Sequence, residues 1–140
     1  MKIYISHSIR GKWGNTATKE QMAVNCKRAN LFAKGLRKEL PDLYVHLPAD
    51  FEEWVGMAWA CEIISEEQIL RVDCEIISTC NGMIVFAPDD HISKGMQIEI
   101  DWCKSHNIPY LLLNAQTLAI KYQLDISELD IIKDWLESLK

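Results

Sequence analysis

Met83-Ile84-Val85-Phe86-Ala87-Pro88-Asp89-Asp90-His91-Ile92-Ser93-Lys94-Gly95-Met96-Gln97-Ile98-Glu99 sets the architecture expected of the whole chain. Its first five residues are continuously apolar, as in a strand covered on both faces. Pro88 to His91 are punctuation. Ser93 then offers an N-cap hydroxyl to an orphan amide of a first helical turn. Gly95 lets another group approach that turn closely. Glu99 sits just inside the helix, near its positive end, where a carboxylate is kept ionised. Strand, turn and helix form one half of a βαβ unit, with a polar cradle and a carboxylate at the turn.

The same alternation runs outward in both directions. Lys2 to Ser6 reads as a short buried strand, followed by the polar, glycine-bearing segment from His7 to Thr16. Thr18 to about Leu40 is helical, with Thr18 and Gln21 as a capping box and Met22, Cys26, Ala29, Ala33 and Leu36 as the inward stripe. Pro41 ends it. Leu43 to Leu47 is a second strand, closed by Pro48. Asp50 and Glu53 form a capping-box pattern before the Trp-rich stretch Phe51 to Cys61, which is either core or a cover for the ligand crevice. Ser65 and Gln68 cap a helix reaching about Cys80, with Ile69, Val72, Asp73, Ile76, Ile77 and Cys80 facing inward. Beyond the helix from Ser93 to about His106, Ile108 to Leu113 is a fourth strand and Ile120 to Leu124 a fifth. Ser127 with Asp130 caps a last helix to Leu139.

Alternating strands and helices predict an α/β domain with a mostly parallel sheet of four to five strands, occupying residues 1–140 as a single unit. Ligands of such sheets bind at the carboxyl ends of the strands. The loops after Ser6, after Leu47 and before Ser93 all open on that edge.

The totals narrow the partners. A chain of 140 residues with 49% hydrophobic and 25% charged residues is an ordinary globular composition. A net charge of −5 without charge blocks argues against a nucleic-acid polymer or an anionic membrane as partner. The five cysteines include no CxxC pair and read as reduced thiols of a cytoplasmic protein. Lys2-Ile3-Tyr4-Ile5 is too short for a secretory leader, and no apolar run approaches membrane-spanning length. His46, His91 and His106 lack metal-ligand spacing, so no metal and no cofactor is expected.

Four places can carry chemistry. The loop from His7 to Gly14 brings hydroxyls, glycines, Arg10 and Lys12 together, which suits a phosphate, or else it is a solvated connection. Glu99 shares a helical face with Met96, Ile100 and Cys103. Alternatively, Ile98 and Trp102 define the buried side and Glu99 faces water. Asp73 on an inward face must be hydrogen-bonded or carry a raised pKa. Tyr4 is a core tyrosine with a satisfied hydroxyl, or a crevice residue.

Ser8-Ile9-Arg10-Gly11 after the first strand, an Asp in the helix before the third, and Ser-x-Gly-x-x-x-Glu after it resemble the nucleoside 2-deoxyribosyltransferase superfamily. The nearest branch is the 2'-deoxynucleoside 5'-monophosphate N-glycosidases. The resemblance implies a flavodoxin/Rossmann-like three-layer sandwich acting on a small-molecule nucleotide or nucleoside. Glu99 would be the nucleophile on the anomeric carbon, Tyr4 would position it, and Asp73 would donate a proton to the base or hold the substrate. Ser8, Ile9, Arg10, Gly11, Ser93 and Gly95 would hold the 5'-phosphate, with His7 and Asp89 in the substrate pocket. A homodimer is implied too, with Asn114 to Thr117 as possible donors to a neighbouring site. Two departures stand out: His7 replaces the family's usual Gly, and Asn81 its usual Asp. Base exchange between nucleosides is the alternative activity, and a non-catalytic nucleotide-binding module or flavodoxin-like carrier the alternative class. A response-regulator receiver is disfavoured, because Ser6-His7-Ser8 replaces the acidic pair expected there.

Overall fold

A computed structural model describes residues 1–118 and 124–140. Four strands, β1 (Lys2–His7), β2 (Tyr44–His46), β3 (Gly82–Ala87) and β4 (Tyr110–Asn114), form one parallel sheet in the order β2-β1-β3-β4. Five α-helices accompany them among the described residues: α1 (Lys19–Glu39), α2 (Glu52–Ala60), α3 (Glu66–Ser78), α4 (Lys94–Ser105) and α5 (Ile126–Ser138). The expected fifth strand, Ile120 to Leu124, lies outside the described residues except for Leu124.

The strand period of two separates two cores. Ile3, Ile5, Ile84 and Phe86 face α1 and α5, where Phe32, Leu36, Ile132 and Leu136 complete the layer. Tyr4, Met83, Val85 and Ala87 face α3 and α4, against Ile77, Met96, Ile100 and Cys103. All six residues of β3 are buried, as its unbroken apolar run requires. The result is a three-layer α/β sandwich of flavodoxin/Rossmann-like form. Gly82 opens β3 where a Cβ would lie 3.0 Å from both the Pro109 carbonyl and the Trp135 ring. Asn81 ties the same corner, accepting from the Lys2 amide at 2.8 Å through its side chain.

The β1 connection through α1 runs over one face, and the β3 connection through α4 over the other. Successive right-handed crossovers therefore part at the carboxyl ends of β1 and β3. His7 and Phe86 are register partners there, which places the loops after both strands around one crevice.

Several local expectations change. The last helix is capped by Asp125 in a box with Glu128, not by Ser127 with Asp130; Asp125 accepts from the Ser127 amide, so the helix starts at Ile126. Val72 is 57% exposed, and the inward face of α3 runs instead through Asp73, Cys74 and Ile77. Asp50 does not cap α2, because it is drawn into an ion pair with Arg37 at 2.7 Å. The core reading of the Trp-rich stretch also fails: Trp54 is 69% exposed and Met57 64%, and only Ala58 of α2 is buried. A short helix stacked on loops rather than on the sheet has little core to reach. No helix among the described residues is long and apolar enough to cross a membrane.

Candidate active site

Tyr4 and Ser6 alternate onto the same face of β1, and α4 crosses that face. Met96, Glu99, Ile100 and Cys103 form the buried stripe of α4, so Glu99 is directed at the sheet and is only 5% exposed. Its two carboxylate oxygens are held separately. The Tyr4 hydroxyl donates to Oε1 at 2.7 Å, and the Ser6 hydroxyl donates to Oε2. Both donors are fully buried.

The electrostatics follow from that burial. Loss of solvent raises the Glu99 pKa to about 7, opposed by the bonds from Ser6 and Tyr4 and reinforced by the Asp73 charge. The expected stabilisation of its ionised form by the α4 amino end is thus outweighed by desolvation. Asp73, on the inward side of α3, is raised to about 6, again mainly by burial; the nearby Tyr4 hydroxyl lowers it and Glu52 of α2 raises it. The Tyr4 hydroxyl is pushed well above its usual range by burial and by both carboxylates, so it stays a donor. Two carboxyl groups that titrate near neutrality, one held by two hydroxyls, are chemically suited to a nucleophile and a proton donor.

The sequence-predicted phosphate loop divides. Ser8 and Gly11 face the α1 side, where a cavity of about 60 Å³ is also lined by His7, Lys12, Asn25 and Arg28. Gly11 takes φ +58, and a Cβ there would stand 2.7 Å from the Asn25 amide nitrogen. Asn25 in turn donates to the Ile9 carbonyl at 2.9 Å and pins the loop to α1. Arg10 points the other way. It bonds Asn15 at 3.0 Å and Glu66 at 3.3 Å, and lies 6.0 Å from the Trp59 ring centre. Asp89 borders the cavity and pairs with Arg28 at 2.8 Å.

Ser93 and Gly95 have structural tasks in this arrangement. The Ser93 hydroxyl accepts from the Met96 amide at 3.3 Å and caps α4. The close approach expected at Gly95 comes from α3, because a Cβ there would meet Leu70 at 3.1 Å. Asn114 to Thr117 form a turn at the end of β4, bonded within itself and, through the Ala115 amide, to the Asp90 carboxylate at 3.0 Å. The structure therefore brings Tyr4, Glu99 and Asp73 together on the α3 and α4 side of the sheet, places His7, Ser8, Gly11 and Asp89 around the cavity on the α1 side, and turns Arg10 toward α2 and α3.

One residue of the carboxylate cluster escaped the sequence reading. Ser6 is two positions from Tyr4 on the same strand face, and that spacing was the available signal. Glu52, which borders Asp73 electrostatically, carried none. Among the described residues, no three His, Cys, Asp or Glu side chains are grouped to hold a metal ion. The thiols of Cys26 and Cys74 are pushed up to about 11 and that of Cys103 to about 12, all chiefly by burial, so none is an activated nucleophile.

One family model matches residues 63–113. The family is described as a domain of unknown function (DUF7768). The matched segment spans α3, β3, α4 and most of β4, and so contains Asp73, Ser93, Gly95 and Glu99. No curated protein and no solved structure matches the chain.

Proposed function

We propose that this protein is an N-glycosidase that hydrolyses the base–sugar bond of a nucleoside 5'-monophosphate, giving free base and sugar 5-phosphate. The observation that carries the reading is Glu99, buried at the crevice end of the sheet with both oxygens bonded by Tyr4 and Ser6 and with Asp73 alongside.

In the first step an ionised Glu99 oxygen attacks the anomeric carbon. The new C–O bond forms as the C–N bond breaks, and the departing base takes its proton from Asp73. In the second step Asp73, now a carboxylate, accepts a proton from water, whose oxygen displaces Glu99 from the glycosyl ester. The transition states resemble an oxocarbenium ion, which the adjacent carboxylate stabilises. Tyr4 and Ser6 fix the carboxylate's direction, so the reaction starts from an oriented nucleophile.

The phosphate would bind in the cavity beside His7, Ser8 and Gly11. At about 60 Å³ the cavity is far below the roughly 300–1,000 Å³ of a whole-ligand pocket, so it suits one end of a nucleotide. Five free cysteines support a reducing, cytoplasmic setting. The exposed α2 face carrying Trp54 and Met57 supports a homodimer, which sedimentation at micromolar concentration checks.

A panel of ribo- and deoxyribonucleoside 5'-monophosphates, assayed for released base, tests the activity. Release that falls at least about a hundredfold in Glu99→Gln is expected; undiminished release in that variant refutes the mechanism. Adding a free acceptor base separates hydrolysis from exchange, since only exchange yields a new nucleoside 5'-monophosphate.

A further inference from the structure

A second cavity, of about 290 Å³, lies along β2 at the edge of the sheet. Arg37, Tyr44, Val45, His46, Asp50 and Phe51 border it, and neither Glu99 nor Asp73 does. Its volume is close to the roughly 300 Å³ at which pockets begin to hold a whole small ligand. A further strand is not its guest. The outward carbonyl of Val45 already accepts from Arg37 at 2.9 Å, and an edge guarded by a charged side chain discourages strand pairing.

The walls suit a flat ring with a polar rim. His46 stacks on both Tyr4 and Phe51, with ring centres 5.5 and 5.4 Å apart. Phe51 is half exposed and Tyr44 more so, and each offers ring surface to the cavity. Arg37 and Asp50 pair at 2.7 Å, but among the described residues only Nη2 of the one and Oδ2 of the other carry side-chain bonds. The other guanidinium N–H groups and Oδ1 leave donors beside an acceptor. The half-buried imidazole of His46 makes no hydrogen bond to the described residues. Burial first, then the Lys2 charge, lowers its pKa against the pull of Asp50, so near neutrality it has one N–H and one lone pair to offer.

We propose that this cavity is a second binding site, for a free nucleobase stacked on Phe51 and held along its rim by Arg37, Asp50 and His46. A nucleobase presents an acceptor beside an N–H donor on one edge, the complement of a guanidinium beside a carboxylate. Hydrogen bonds to charged partners give such a contact both strength and direction. The choice of a nucleobase among flat heterocycles rests on the activity proposed above, of which it is the product. Since Glu99 and Asp73 lie outside the cavity, the base held here is the released one, separated from Tyr4 by the His46 ring. The test requires no turnover.

The probe is uracil, titrated into labelled protein while the imidazole resonances of its four histidines are followed. His46→Gln assigns the ring. A saturable shift of the His46 resonance is expected. Affinity should be about tenfold weaker for 1,3-dimethyluracil, which keeps the ring and loses both N–H donors, and about tenfold weaker for uracil in Phe51→Leu. Glu99→Gln should bind uracil as the wild type does. An unmoved His46 ring, equal affinity for the dimethyl compound, undiminished affinity in Phe51→Leu, or loss of binding in Glu99→Gln overturns the proposal. Should Phe51→Leu not fold, the wild-type comparison of the two pyrimidines decides alone. Cleavage of monophosphates with the His46 ring unmoved by uracil overturns this inference and leaves the activity standing. Uracil binding at His46 with undiminished cleavage by Glu99→Gln does the reverse.

Discussion

Glu99→Gln should make the protein more stable at alkaline pH and leave it unchanged in acid. The carboxyl is 5% exposed, and its pKa is raised from 4.5 to about 7, first by burial. Between those values the native state keeps a proton that the unfolded chain has released. Wild-type stability therefore falls as pH rises, by about 1.4 kcal/mol for each pH unit. Across the whole interval the loss is about 3 kcal/mol, a large share of a typical domain's roughly 5–15 kcal/mol. Below the unfolded value both states are protonated and the penalty vanishes. Above the folded value it is constant. Gln has nearly the same shape and never ionises. Its amide oxygen can accept from one hydroxyl while its NH₂ donates to the oxygen of the other, since Tyr4 and Ser6 both rotate. Urea unfolding followed by tryptophan fluorescence, at intervals from about pH 5 to about pH 8, gives the difference between the two proteins. It should grow by about 3 kcal/mol toward the alkaline end. A difference independent of pH, or one that shrinks as pH rises, refutes the claim that Glu99 ionises against its surroundings.

Catalysis under the proposed mechanism needs Glu99 ionised, gained through about pH 7, and Asp73 protonated, lost through about pH 6. The kcat/KM profile should therefore be a narrow bell between these values, and Asp73→Asn should lower kcat by roughly 10²–10⁴ and abolish the alkaline limb; a broad plateau above neutrality argues against it. Ser6→Ala removes a donor that favours the Glu99 anion; because Glu99 titrates above Asp73, the alkaline limb should move to higher pH and the maximum should fall, while Ser6→Thr restores both. An unmoved limb in Ser6→Ala shows the bond to be structural only. Gly82→Ala forces a methyl within 3.0 Å of the Pro109 carbonyl and the Trp135 ring. It should cost about 1–3 kcal/mol in thermal or urea unfolding without altering substrate specificity.

The alternation of strands and helices was legible because each element writes its own burial into its sequence. Unbroken apolar runs gave β1 and β3. The capping boxes at Thr18 and Ser65 gave the starts of α1 and α3, since a cap is a contact over three residues. Where competing partners came from outside the local window, the reading failed. Asp50 is drawn to Arg37 rather than to the start of α2. Val72 and Trp54 look inward by hydrophobicity alone, but among the described residues both are exposed.

Read alone, the sequence predicts a mostly parallel α/β chain whose β1 and β3 loops open on one crevice, but it leaves Glu99 either on a stripe with Met96, Ile100 and Cys103 or facing water. Periodicity is sufficient for the first, because it records which side of an element meets the core; on α4 two apolar faces compete, Ile98 being 36% exposed in the structure and Ile100 7%. Which face of α4 is buried, and what Glu99 meets on it, follow from packing between distant segments. Tyr4 lies 95 positions away and Ser6 93, and their hydroxyls reach the carboxylate because β1 is laid beneath α4. Burial in that contact moves the carboxyl toward neutrality, against the helix-end effect that local sequence suggested. The same packing sends Arg10 toward Glu66 and leaves His7 facing a cavity. A pKa and a binding surface depend on solvent exclusion by distant residues, and such exclusion exists only once the layers have closed.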